Sequence, residues 1–294
     1  MKISLLTATY NRKEELKKLY ASLNSNYQTF KDFEWIVMDD GSSDGTKEQL
    51  TKWVNESPFE IKYHFQQNKG KQREINDAIQ YVTGDIVIEI DSDDYFVDGA
   101  LGIIANDYEQ LGDQNVYGIV YKRLLGSKDT TTSPEIDNKT IKLFDIHNKY
   151  GYDFDMNLTF KADVRKKYFY KVEEDEKFVT EARLYYKLDQ LYDGLLFKDI
   201  NLVNGEYLNE GYSKNIQEIF RKYPKGYYEY FKECLSYINK DTKFKRRLYF
   251  IKHFILFSYL TNHSKSSCIK AAHGLNKLLV ILLVIPGYIK SKKF

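Results

Sequence analysis

The first 120 residues predict an α/β fold with a mostly parallel, doubly wound sheet flanked by helices. Short apolar, β-branched runs alternate there with segments of helical spacing. Such a β-α-β-α order joins parallel neighbours through crossover helices. Polar clusters also recur where successive strands end, on the side where open α/β sheets bind ligands.

Taken in order, residues 2–7 read as the first strand, and residues 12–23 as a helix through Leu16, Leu19 and Leu23. Residues 33–38 form the second strand, which runs into Asp39-Asp40-Gly41-Ser42-Ser43-Asp44-Gly45-Thr46. Ser43 or Asp44 is suited to cap the helix over residues 47–55. Residues 60–65 are strand-like, residues 71–82 are helical, and residues 86–90 make a buried strand ending in Asp91-Ser92-Asp93-Asp94. Neither a G-x-G-x-x-G fingerprint nor a Walker loop is present, so dinucleotide and P-loop readings lose their support.

Composition narrows the class. With 4 Pro and 16 Gly in 294 residues, the chain is neither disordered nor of low complexity. The 26 Tyr and 18 Phe can stack on sugars or bases, although ordinary packing accounts for most of them. Cys234 and Cys268 match no metal or redox spacing, which fits a reducing, cytoplasmic compartment. The opening apolar stretch is too short for a secretory signal and reads better as the first strand.

The three polar strand ends suit a nucleotide sugar. Thr7, Thr9, Tyr10 and Asn11 follow the first strand, Asp39 the second, and Asp91 and Ser92 the later one. Asp39 can accept from a pyrimidine N3–H beside the flat ring of Tyr10, and Asp91 can accept from a ribose hydroxyl. Asp93, with Asp91, can hold a hard divalent cation, since Mg²⁺ or Mn²⁺ usually arrives with phosphates. Lys71 opens its helix where a diphosphate would lie, and the helix N-terminus adds partial positive charge. Each cluster alone also reads as a solvated turn; three at equivalent strand ends read as one site.

The series Thr7-Ala8-Thr9-Tyr10-Asn11-Arg12, Val37-Met38-Asp39-Asp40-Gly41-Ser42, Asn68-Lys69-Gly70-Lys71, Asn76-Asp77-Ala78-Ile79, Gly84-Asp85 and Asp91-Ser92-Asp93-Asp94 resembles the opening of the family 2 glycosyltransferases. The match covers about the first 100 residues. The resemblance implies a Rossmann-like GT-A fold, a nucleoside-diphosphate sugar donor (usually a UDP-sugar), a divalent metal and inversion at the anomeric carbon. It also implies a general base from an acidic pair opening a later helix. Here Glu181 matches the first acid and Ala182 replaces the second. Asp175, Glu176 and Asp189 are alternatives. Asp155 or Asn157 can meet acceptor hydroxyls, and Gly211, Ser213 and Asn215 lie in a segment similar to a loop that closes over donor phosphates.

Residues 1–215 are therefore expected to form the catalytic domain, and residues 216–294 a helical, basic and aromatic extension. Residues 243–294 carry eleven Lys and Arg and no Asp or Glu, while the first 242 residues hold 33 basic and 42 acidic groups. The apolar run 278–285 falls short of the ~20 residues that span a bilayer. Basic groups beside apolar faces instead suit helices lying on an anionic membrane, with packing on the body or a homodimer contact as the rival. Interleaved aliphatic side chains disfavour nucleic acid. The resulting expectation is a peripheral enzyme that glycosylates a lipid-linked acceptor in cell-surface polysaccharide synthesis. A polyprenyl-phosphate glycosyltransferase and a non-catalytic nucleotide-sugar-binding subunit are the alternatives.

Overall fold

The computed structural model describes residues 1–125, 133–152, 154–205 and 216–291. In chain order the elements are β1 (Ile3–Thr9), α1 (Glu15–Tyr27), β2 (Phe33–Asp39), α2 (Thr46–Glu56), β3 (Glu60–Phe65), α3 (Lys71–Ala78), β4 (Ile86–Glu89), β5 (Asp94–Phe96), α4 (Ala100–Leu111), β6 (Gly118–Leu125) and β7 (Thr140–Ile141). Then come α5 (Leu143–Asp145), β8 (Met156–Lys161), α6 (Ala162–Arg165), α7 (Ala182–Leu191) and β9 (Leu195–Gly205). Five helices close the chain: α8 (Ile216–Lys222), α9 (Pro224–Tyr237), α10 (Phe244–Leu260), α11 (Lys265–Ala271) and α12 (Gly274–Ser291).

Two compact units emerge. The first comprises Met1–Ile141, Asp153–Tyr170 and Gln190–Leu208; the second comprises Lys142–Tyr152, Lys171–Asp189 and Asn209–Phe294. The helical extension expected from residue 216 thus also gathers residues 142–152 and 171–189, two segments from the middle of the chain.

In the first unit the sheet order is β3-β2-β1-β4-β8-β6-β9-β5, with β7 added to β9. β3, β2, β1 and β4 are mutually parallel, which is the doubly wound half expected from the sequence. Beyond β4 the sheet is mixed: β8 runs antiparallel to both β4 and β6, and β6 is parallel to β9. All of β2 is buried, as a central parallel strand covered on both faces should be. Alternation along β1 sends Ile3 and Leu5 into one cluster with Leu16, Leu19 and Leu23 of α1, Trp35 and Val37 of β2, and Ile104 of α4. Gly118 lets β6 and β8 meet closely, because a Cβ there would lie 1.9 Å from the Thr159 carbonyl oxygen.

The amino end of this sheet is held by charge. Glu34 is fully enclosed and accepts from Lys62 Nζ (2.8 Å), Lys2 Nζ (2.9 Å), Ser4 Oγ (2.6 Å) and both the N–H and hydroxyl of Thr83. Burial opposes its ionisation, yet the Lys62 ammonium and the Ser4 and Thr83 hydrogen bonds win and hold the carboxyl far below its usual range.

In the second unit the aromatic load is structural. Phe231 of α9 stacks on Phe257 of α10 with centroids 5.4 Å apart, Tyr227 lies 5.1 Å from the same ring, and Phe144 stacks on Phe250 at 5.6 Å. Arg247 was counted above among the basic groups of the extension. It is 8 % exposed, donating to Asn276 Oδ1 (2.6 Å) and the Asn239 carbonyl (2.7 Å). Asn276 in turn donates to the Leu235 carbonyl, so three helices share one buried polar staple.

Candidate active site

Parallel pairing sets Thr9 beside Asp39 and Leu6 beside Glu89, so the ends of β1, β2 and β4 open onto one edge. Four loops meet there through specific hydrogen bonds. Asn11 adopts a left-handed backbone (φ 51°), receives the Ser43 N–H on its side-chain oxygen at 2.8 Å, and donates its own N–H to Ser42 Oγ at 2.8 Å. Asp40 joins the next loop: its carboxylate accepts the N–H groups of Lys69 (2.6 Å) and Gly70 (3.0 Å). Gly41 (φ 87°) permits this approach, since a Cβ there would stand 3.3 Å from the Asn68 nitrogen. α3 then starts at Lys71, whose ammonium lies 2.5 Å from Asp91 Oδ1.

The turn after β4 concentrates negative charge. Burial disfavours ionised Asp91, but Lys71 and then Arg123 outweigh it and hold its carboxyl below the usual range. Asp93 moves the other way, raised by burial and by the Asp91 charge. Asp94 is pushed up to about 8 by burial and Asp91, against the pull of Arg123, whose Nη2 lies 2.6 Å from Asp94 Oδ1. Among the described residues no three His, Cys, Asp or Glu gather into a metal cage. Asp91 and Asp93 therefore fit a cation that takes one or two carboxylates and completes its shell with water and substrate phosphates, as Mg²⁺ and Mn²⁺ do.

The donor-site residues expected from sequence fall into distinct settings. Tyr10 is 50 % exposed at the crevice, as a stacking ring should be. Thr9 is buried with no partner for its hydroxyl, and Ser92 is buried in the turn. Asp39 is fully enclosed, accepting from the Ser42 N–H (2.8 Å) and the Tyr63 hydroxyl (2.9 Å), so its carboxylate is engaged by protein donors in this structure. Thr7 needs correction: its hydroxyl is fully buried and accepts the Trp35 indole N–H at 3.0 Å, which makes it a core contact rather than a donor contact.

Glu181 belongs to the second unit and precedes α7, where its carbonyl accepts the N–H of Leu184 at 3.0 Å. Two of its rivals are structural caps. Glu176 accepts the N–H groups of Lys225 and Gly226, both at 2.7 Å, at the start of α9. Asp189, also fully buried, accepts those of Leu143 (3.0 Å) and Phe144 (2.8 Å). Asp175 sits on the surface beside Lys225. Asn157 is buried on β8 and donates to the Glu89 carbonyl at 3.3 Å, leaving its own oxygen unpaired. Asp153 and residues 206–215, with Gly211, Ser213 and Asn215, lie outside the described residues.

Sequence reasoning missed Arg123, Glu74 and the clamp made by Asp40. Arg123 follows Lys122 inside an otherwise apolar strand, and nothing in its neighbours announces Asp94 as partner. Glu74 on α3 is fully buried, and burial together with the nearby Asp40 charge pushes its carboxyl up to about 8. Its signal was weak: one acid on the inner side of a short helix.

A parallel sheet that gathers carboxylates and a lysine at its carboxyl edge is the organisation of the GT-A nucleotide-sugar transferases. Residues 4–171 match the family described as Glycosyl transferase family 2, and the chain belongs to that family; it is a glycosyltransferase. A GalNAc(5)-diNAcBac-PP-undecaprenol β-1,3-glucosyltransferase of Campylobacter jejuni is 28 % identical over 230 residues, covering 76 % of this chain and 72 % of that protein. TarS of S. aureus superposes over 100 % of this chain and 55 % of its own, with TM-score 0.65 at 16 % identity. A shorter TarS chain in complex with UDP-GlcNAc gives 0.60 at 17 % identity, covering 99 % of this chain and 79 % of its own. A Pyrobaculum calidifontis mannosyltransferase in complex with GDP-Man and Mn²⁺ gives 0.55 at 16 % identity, covering 99 % and 82 %. At such identities the structural likeness speaks for the fold alone.

Proposed function

We propose that the chain transfers a hexose or N-acetylhexosamine from a UDP-sugar to a lipid-linked glycan, with inversion, at the inner face of the cell membrane during cell-surface polysaccharide synthesis. One observation carries the donor side: Asn11 bonds to Ser42, Asp40 bonds to Gly70 and Lys71 pairs with Asp91, so three specific contacts tie together the four loops at the carboxyl ends of the parallel strands. Support for the acceptor comes from the Campylobacter relative, whose name specifies an undecaprenol-linked glycan.

In this reading Tyr10 stacks on the base, Asp39 accepts its N3–H, and Thr9, Asn11 and Ser92 line the nucleoside. Asp91 meets the ribose or shares the cation, and Asp93 holds it. A bound divalent ion supplies positive charge for the departing diphosphate. Lys71 adds its own charge at the helix start, exchanging Asp91 for a phosphate oxygen. The acceptor hydroxyl oxygen forms the new bond to the anomeric carbon as the bond to the UDP oxygen breaks, and Glu181 takes the hydroxyl proton. UDP leaves as the anion.

The test is UDP release with Mn²⁺, a UDP-sugar panel and lipid-linked glycan extracted from bacteria. Turnover is expected in the unaltered protein and loss of at least about a hundredfold in Asp93→Ala and Glu181→Gln, within the range of general-base contributions. Donor binding without any turnover would favour a non-catalytic subunit, and turnover on bare polyprenyl phosphate would move the acceptor assignment.

A further inference from the structure

α12 is apolar on both sides. Its inner side is committed: Asn276 joins the staple with Arg247, Val280 and Val284 are buried, and Gly287 approaches α10 so closely that a Cβ would lie 2.7 Å from Ile255 Cγ2. Its outer side carries Leu275, Leu278, Ile281, Leu282 and Ile285, which are 45 to 63 % exposed. Five large aliphatic side chains on one exposed ridge exceed the scattered apolar surface of a soluble domain and mark an interaction face. Among the described residues no helix is long and apolar enough to cross a membrane.

Charge decides the partner. Lys245, Lys252, Lys265, Lys270 and Lys277 are exposed on the same helical unit, and residues 243–294 contain no carboxylate side chain at all. A second copy of residues 243–294 laid on the ridge would bring like charges together. An anionic lipid surface would instead take the ridge into its acyl boundary and the lysines into its headgroups. We propose that the outer ridge of α12, Leu275 to Ile285, is the face by which this chain docks in the plane of an anionic bilayer. This deepens the proposed function by naming where the reaction runs, but its assay contains neither donor nor acceptor, so the two stand or fall separately.

The full chain is sedimented with vesicles of phosphatidylcholine alone or with a third phosphatidylglycerol, at low and high salt. Binding is expected on the anionic vesicles only, weakening with salt. Leu278→Glu combined with Leu282→Glu is expected to lower the bound fraction at least about tenfold, since each introduced carboxylate opposes both apolar insertion and the surface charge. Lys270→Gln with Lys277→Gln is expected to cost about fivefold in affinity per lysine. All four positions are exposed, and unchanged melting curves and circular dichroism would show that the variants remain folded. Equal sedimentation of the unaltered protein and the leucine variant overturns the proposal, as does equal binding to neutral vesicles. A micromolar dimer that the leucine variant converts to monomer also overturns it, in favour of a second copy on the ridge.

Discussion

Asp40 Oδ2 accepts the N–H of Gly70 at 3.0 Å, and Gly70 is the residue from which α3 springs. With the Lys69 contact, one enclosed carboxylate fixes the loop that delivers Lys71 to Asp91. Asp40→Asn would aim an amide N–H at a backbone N–H. The expected cost is about 1–3 kcal/mol of stability for the unpaired buried donor. Donor affinity should fall as well, read by calorimetry with UDP, while Asp40→Glu restores part of it. A variant with native melting and native UDP affinity would remove Asp40 from the positioning role.

Glu74 makes the stability depend on pH in a defined direction. Its folded pKa, about 8, lies above that of an exposed glutamate, so between those values the folded state holds a proton that the unfolded chain has lost. Stability attributable to this group therefore falls as pH rises from the ordinary carboxylate range to about 8, and is flat beyond. Melting curves from pH 5 to 9 should show Glu74→Gln gaining on the unaltered protein through that window. Parallel curves would assign the burial of Glu74 no energetic consequence.

Glu34 has the opposite sign. Its folded pKa is depressed, so its contribution is complete above the ordinary carboxylate range and is lost as the pH falls below it. Glu34→Gln should destabilise the protein near neutral pH by about 2–4 kcal/mol, because it leaves buried donors and the Lys2 and Lys62 ammonium groups without their counter-charge. It should also flatten the acid limb of the stability curve. UDP affinity should change little, since Glu34 sits at the amino end of the strands and the site at their carboxyl end.

Arg123 and Asp94 are suited to a double-mutant cycle. Arg123→Gln alone removes the charged partner of an Asp94 carboxyl that is 4 % exposed and already raised to about 8, so the buried group loses its hydrogen-bonded cation. A loss of roughly 3 kcal/mol is expected, with much of it recovered when Asp94→Asn is added. Mn²⁺ and UDP-sugar titrations of the same variants would report whether the pair also shapes ligand binding at the Asp91–Asp94 turn. Simple additivity of the two substitutions would mean that they do not act together.

In the first unit β1 to β4 and α1 to α3 were legible because burial imposes periodicity, whereas the mixed half of the sheet from β5 to β9 was not. The cap of α2 shows the limit: Ser43 or Asp44 was the expectation, but the cap position is the left-handed Gly45, and Asp44 accepts the Thr46 N–H at 3.0 Å from one residue earlier. The ligand edge was legible for a related reason: polar residues at successive strand ends have little core to serve. What the sequence could not convey was which polar groups would find each other across the chain. Glu176 and Asp189 resembled candidate bases until each was seen capping the start of a helix or turn. Thr7 shares a face of β1 with Thr9 but lies two residues deeper in the sheet, where its hydroxyl accepts the Trp35 indole N–H.

The sequence by itself determined the α/β order, the three polar strand ends, the family and the charge split between the first 242 residues and the rest. These are local or additive properties, readable without knowing any distance. Tertiary structure alone decided that Arg123 answers Asp94, that Asp40 clamps Gly70, that Arg247 is spent inside the helical unit and that the α12 leucines are left outside. Each of those outcomes depends on which neighbour excludes water from a given side chain, and only the folded chain sets that.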